Sequence, residues 1–195
     1  MLGLADSKKV VVVGIPGVGK TSLVTKLVEL ITQRSKTVSV HSFGTVMLEE
    51  AMKNGVKDRD ELRTLPIERQ KELQKMAAEK ISNMTDDVIL IDTHAFISTK
   101  SGFYPAHPNY VIQILQPNNF IAITASPDEI HNRRMKDKTR NRDPISIEDI
   151  KKELAVQDAM LSSCSVLSGS PMKVVFNHEG KVEEAAKTVL NAIGL

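Results

Sequence analysis

Lys9-Val10-Val11-Val12-Val13-Gly14-Ile15-Pro16-Gly17-Val18-Gly19-Lys20-Thr21 joins a run of β-branched residues to a glycine-rich turn that closes on lysine and threonine. A continuous apolar run of this kind is the pattern of a strand buried on both faces, as in a parallel sheet covered by helices. From Gly14 to Thr21 the order is glycine, four residues, glycine, lysine and threonine, the Walker A pattern. The glycines allow backbone angles that turn consecutive N–H groups into one concavity, and the N-terminus of the helix behind adds partial positive charge there. Such a nest holds phosphate. Lys20 would bridge β- and γ-phosphates, and the Thr21 hydroxyl would ligate magnesium.

The helix expected behind the loop covers Gly19–Arg34, with Leu23, Leu27, Leu30 and Ile31 on one stripe. Further strands are predicted at Thr37–Phe43, Asp87–Asp92, Asn119–Ala125 and Met172–Asn177. Thr45–Asn54, Asp58–Leu65 and Pro66–Met84 have helical composition, with Asp58 as an N-cap and Pro66 near a helix start. A last helix is expected over Lys181–Ile193. Strands alternating with helices argue for an α/β protein with a parallel sheet covered on both sides.

The chain has 195 residues, enough for one compact domain with a small insert but short for two. Its longest apolar stretch, Val10 to Val18, is broken by glycine and proline and falls short of the roughly 20 residues of a membrane-spanning helix. The beginning, MLGLADSKK, lacks the charged-then-apolar secretory pattern, so a cytoplasmic location and no membrane partner are expected. Cys164 is the only cysteine, which excludes an internal disulfide and a cysteine-cluster zinc site.

Positive charge is concentrated in one place. His131–Asp143 carries six basic residues (Arg133, Arg134, Lys136, Lys138, Arg140 and Arg142) against two acidic ones, a local +4, while the whole chain is only +2. The remainder is therefore net −2, unlike a nucleic-acid binder with a basic surface, and aromatic stacking platforms are scarce. A small anion is the expected partner. Forked guanidiniums around a transferred phosphoryl group stabilise its charge without gaining or losing protons. His131 belongs to the solvated face.

Asp92 ends the strand DVILID, where a magnesium-holding acid would stand. His94 either contacts a substrate or fixes the turn. A GTPase would need Asn-Lys-x-Asp and Asp-x-x-Gly motifs, and the chain has Asn177-His178-Glu179-Gly180 and Asp92-Thr93-His94-Ala95 instead. A kinase of a small phosphorylated acceptor remains. The rival from another class is a P-loop ATPase switch acting on a protein partner.

With the loop, Phe43-Gly44-Thr45, Asp58-Arg59-Asp60-Glu61-Leu62-Arg63, Asp92-Thr93-His94 and Thr139-Arg140-Asn141-Arg142-Asp143 on the page, the chain resembles the archaeal-type adenylate kinases almost end to end. The resemblance implies a P-loop NTPase-type three-layer fold with a five-stranded parallel sheet. Residues 1–195 would form one domain, with a helical monophosphate-binding segment at 42–86 and a short lid at 133–145. The implied reaction is reversible transfer from MgATP to AMP, giving two ADP; kinases of other nucleoside monophosphates are the near alternative.

Carried over by position, Gly14, Ile15, Pro16, Gly17, Val18, Gly19, Lys20, Thr21 and Ser22 would hold ATP, and Arg140 and Arg142 would close on the transferring group with Lys20. Arg133 or Arg134 should flank the ATP phosphates or adenine. Thr45, Arg63 and His94 fall to the AMP site, with Arg59 a second candidate for its phosphate. Thr21 and Asp92 would hold Mg2+. Bacterial and eukaryotic adenylate kinases carry an arginine in Gly-Phe-Pro-Arg after the third strand, whereas the comparable stretch here, Gly102-Phe103-Tyr104-Pro105-Ala106-His107, has none. The family type also implies a homotrimer.

Overall fold

The computed structural model describes residues 7–99, 102–137 and 145–195. In chain order the elements are β1 (Lys8–Val13), α1 (Lys20–Thr32), β2 (Val38–Ser42), α2 (Phe43–Lys53), α3 (Arg59–Thr64), α4 (Ile67–Ser82), β3 (Val88–Thr93), β4 (Phe96–Thr99), β5 (Gly102–Pro105), α5 (Asn109–Leu115), β6 (Asn119–Thr124), α6 (Pro127–Lys136), α7 (Ile147–Ser168), β7 (Met172–Phe176) and α8 (Val182–Ala192). The five predicted strands form the main sheet in the order β2-β3-β1-β6-β7. All its pairings are parallel, with Lys8 to Val13 opposite Val88 to Thr93 and Val10 to Val13 opposite Asn119 to Ala122. The sheet therefore has the predicted class and strand count.

Strand β1 lies where the order reverses, with β3 on one side and β6 on the other. A crevice opens beyond the carboxyl end of a strand at such a point, and ligands bind there in open α/β sheets. The glycine loop leaves β1 into that crevice.

Side chains of β1 alternate between two cores. Val10 and Val12 join Leu23, Leu27 and Ile31 of α1 and Ala185 and Val189 of α8. Val11 and Val13 face the other way, among Phe43 of α2, Ala77 and Ile81 of α4, Val111 and Leu115 of α5 and Leu161 of α7. Each such side chain, fully buried, contributes roughly 1.5–3 kcal/mol of transfer free energy. This is why β1 is valine throughout its last four positions.

Residues 42–86 carry a smaller core of their own, made of Ala51, Val56, Leu62 and Leu73. Asp58 caps α3, accepting from the N–H groups of Asp60 and Glu61, as predicted. Buried Glu50 pairs with Lys53 at 2.8 Å and with Lys80 at 3.3 Å, tying α2 to α4.

Between β3 and β6 a hairpin of β4 and β5 and the short helix α5 appear, and between β6 and β7 the helices α6 and α7. The sequence reading bounded none of these. Of the arginine segment, Arg133 to Lys136 form the end of α6, while Arg140 and Arg142 lie outside the described residues.

Candidate active site

Gly17 and Gly19 adopt φ angles of +91° and +79°, the left-handed region that side chains with a Cβ enter at a cost. Space forbids a side chain as well. A Cβ on Gly19 would stand 2.5 Å from Asn177 Nδ2, and one on Gly17 would stand 3.0 Å from Arg134 Cγ and 3.1 Å from the Ile130 carbonyl oxygen.

The loop's carbonyls are occupied one after another by donors from outside it. His94 Nδ1 lies 3.2 Å from the Gly14 oxygen. Arg134 Nε donates to Pro16 O at 2.7 Å, and Arg133 Nη1 to Gly17 O at 3.4 Å. Asn177 Nδ2 donates to Val18 O at 2.9 Å and to Gly19 O at 3.3 Å. Fixing the oxygens outward sets the opposite ends of the same peptide planes toward the concavity, the arrangement an anion requires.

These donors are themselves held. Arg134 Nη2 bonds Glu153 on α7 at 2.7 Å, and Arg133 Nη2 donates to the Asn177 carbonyl at 2.9 Å. Glu129 sits at the centre: it completes a capping box with Ser126 at the start of α6, accepts the Glu179 N–H at 2.9 Å and lies 3.1 Å from His178 Nδ1. The Glu179 N–H foremost, then the Ser126 N–H and the His178 and Ser126 side chains, depress its pKa from 4.5 to about 2 against the opposing effect of burial.

A carboxyl depressed by folding adds stability that is complete above its unfolded pKa and is lost as pH falls through its folded pKa. We therefore expect Glu129→Gln to be less stable than the parent at pH 7, with the gap closing between pH 4.5 and 2. Urea unfolding at several pH values measures it, and a gap constant over that window would contradict the assignment.

At the mouth of the cradle, Lys20 Nζ forms an ion pair with Asp92 Oδ1 at 2.5 Å and donates to the Thr93 carbonyl. Burial lowers the lysine pKa, and Asp92 works against that shift. Thr21 and Ser22 are exposed in the first turn of α1. Across the crevice, Arg59 Nη2 donates to Thr45 Oγ1 at 2.9 Å, so two residues expected in one subsite are in contact. Arg63 belongs to α3, and its side chain lies outside the described residues. Ile15 and Val18 are buried beneath the loop.

Residues 13–151 match the family described as "AAA domain". The chain is 37% identical over 189 residues to the adenylate kinase of Methanocaldococcus jannaschii, covering 96% of this chain and 98% of that one. It is 42% identical over 190 residues to the adenylate kinase of Pyrococcus horikoshii, covering 95% of each. The chain belongs to the AAA-domain family and to the archaeal adenylate kinases. Among solved structures, shikimate kinase from Bacteroides thetaiotaomicron matches with a TM-score of 0.59 at 12% identity, covering 96% of this chain and 99% of that one, a likeness of fold alone.

For this archaeal adenylate kinase family member, three supports of the loop went unread in the sequence: Asn177, Glu129 and Glu153. Ser126-Pro127-Asp128-Glu129 after a buried strand is a capping-box signature, and it marks both the start of α6 and the glutamate at the hub. Nothing local marks Asn177 or Glu153, because their partners are 159 and 19 residues away. No helix among the described residues is long and apolar enough to cross a membrane.

Proposed function

We propose that the chain transfers the terminal phosphoryl group of MgATP reversibly to AMP, giving two ADP, with ATP on the glycine loop and AMP against residues 42–86. The observation that carries this reading is the cradle with its oxygens tied outward and Lys20 and Asp92 at its mouth, in a chain of this family. AMP phosphate is already an anionic nucleophile, so the protein aligns donor and acceptor, neutralises charge and excludes water; no general base is needed.

Lys20 leaves Asp92 to contact the β- and γ-phosphates. Thr21 Oγ1 and Asp92 would hold Mg2+, whose preference for hard oxygen ligands fits a hydroxyl and a carboxylate. Asp92 also suits the part because, among the described residues, its buried Oδ1 faces the Lys20 ammonium, the group the phosphates draw away. When bound, magnesium neutralises charge on the transferred phosphates.

Arg140 and Arg142 close on the moving phosphoryl group, and Arg133 and Arg134 serve the ATP side by holding the loop. A homotrimer, implied by the resemblance, belongs to the same reading, and light scattering gives the mass that tests it.

A coupled assay of the purified protein with MgATP against AMP, CMP, UMP, GMP and dAMP tests the reaction. ADP formation that depends on AMP is expected. Slow hydrolysis indifferent to AMP would instead indicate a nucleotide-dependent switch, and preference for another monophosphate would reassign the acceptor.

Thr45, Arg59, Arg63 and His94 are proposed on the AMP side. Arg59→Met and Arg63→Met should each raise the KM for AMP about tenfold and leave that for ATP within about twofold, as expected when one phosphate partner is lost. An equal rise in both constants would remove that arginine from the acceptor site.

A further inference from the structure

The turn before α5 buries a polar group that the proposed mechanism does not use. His107 is 4% exposed, and neither ring nitrogen has a hydrogen-bond partner among the described residues. The Cys164 thiol donates to its carbonyl at 3.8 Å, which fastens it to α7. Its ring meets Phe43 edge to face, with 6.2 Å between centroids, and Phe43 opens α2, the first helix of the acceptor segment. Burial first, then the charges of Lys20 and His94, lower its pKa to about 4, so the imidazole is neutral at physiological pH.

An imidazole with two unpaired nitrogens is costly to bury, and an apolar side chain of similar size would fill the same space without that penalty. A buried polar group left unpaired in one state is explained if another state supplies the partner. Three parts of the molecule meet at this turn: the acceptor segment through Phe43, the helix α7 through Cys164, and the phosphate side by way of Ala95, whose carbonyl accepts the Ala106 N–H at 3.0 Å and whose neighbour His94 lies 3.2 Å from the Gly14 oxygen. An acceptor phosphate must approach between the first and the last of these to reach the γ-phosphate in line. Within Gly102–His107, the stretch that lacks the arginine of bacterial and eukaryotic adenylate kinases, His107 is also the only side chain with a nitrogen donor.

We propose that His107 is an acceptor-binding residue whose ring N–H, unpartnered among the described residues, donates to the phosphate of the acceptor nucleotide once the acceptor segment has closed over it. A neutral donor suits the place. Lys20 already supplies a full positive charge nearby, and a second fixed cation would be opposed by it, whereas an N–H adds a hydrogen bond to an anion without that repulsion. The proposal rests on the reading of residues 42–86 as the acceptor segment.

The test compares the parent with His107→Leu and His107→Asn in the full chain. KM for AMP is measured at saturating MgATP, KM for ATP at saturating AMP, and thermal unfolding alongside. Leucine is expected to raise the KM for AMP about tenfold, to leave that for ATP within about twofold, and to melt no lower than the parent because the buried unpaired group is gone. Asparagine, which keeps an N–H donor, is expected to bring the KM for AMP back to within about threefold of the parent. His107→Met carries the same comparison should leucine prevent folding. An apolar variant with an unchanged KM for AMP, or with both constants raised equally, would overturn the role. If the parent itself makes no ADP from AMP, the acceptor reading fails; if it does and all variants share one KM for AMP, only the role of His107 fails.

Discussion

Lys20→Ala should remain folded and lose phosphoryl transfer by about two to three orders of magnitude, the usual consequence of deleting a preorganised charge that meets the transition state. The lysine contributes little to the core: its ammonium faces Asp92 Oδ1 and the Thr93 carbonyl. Its removal leaves Asp92 with 34% of its side chain exposed but with Oδ1 buried and no longer facing a cation. Leaving one partner of a largely buried pair uncompensated is destabilising, so the thermal midpoint is expected to fall by several degrees while the fold is kept. The two effects separate cleanly, since turnover is read by the coupled assay and integrity by circular dichroism. A folded variant with near-normal turnover would remove Lys20 from the site and with it the assignment of the loop.

Gly19→Ala is expected to be nearly as severe through another cause. The residue holds φ at +79°, where an L side chain costs about 1–2 kcal/mol, and its new methyl would press on Asn177 Nδ2. Asn177 is the donor to both Val18 and Gly19 carbonyls, so relieving the clash breaks the support on the last two peptide planes before α1. Misplacing a phosphate-binding group by about 1 Å can cost about 100-fold in rate. The efficiency with ATP is therefore expected to fall about 100-fold, with the melting temperature lowered by several degrees. Asn177→Ala alone tests the cause: it removes the same two donations and should lose a comparable share of the activity, and the double variant should lose less than the product of the two. Activity equal to the parent in Gly19→Ala would show that the cradle tolerates a side chain.

The five strands of the sheet and the helices α1 to α4 and α8 were legible because each decisive signal is local. KVVVVG, DVILID and NFIAITA are short apolar runs ended by a turn residue or a carboxylate, and all three became central strands within about a residue of their expected bounds. Thr37–Phe43 ran one residue long at its end because Phe43 opens α2 and buries its ring in the second core. The hairpin of β4 and β5 has one face open to solvent, so no apolar run announces it. Helix α7 buries only Ile150, Gln157, Leu161 and Cys164, a stripe too sparse and too mixed in polarity to stand out over 22 residues.

For the site, the loop itself was written in one stretch, and the Thr45 and Arg59 pair followed from motifs 14 residues apart. Its supports Asn177 and Glu153 were not, since both act across the fold. Distance along the chain, not chemical subtlety, set what could be read.

The small core of Ala51, Val56, Leu62 and Leu73 gives residues 42–86 an economy of their own. Leu73 belongs to it, while Ala77, Ala78 and Ile81, farther along α4, belong to the core under the sheet. One unbroken helix thus spans two separately packed bodies, like a beam with one end set in masonry. Displacing the outer body disturbs four buried side chains and leaves the valines of β1 untouched, so the free energy of local opening there is set apart from that of global unfolding. Loosening of this segment and survival of the fold become independently adjustable: substitutions at Val56 or Leu62 are expected to retune how readily the outer body opens while the core around β1 stays as it is.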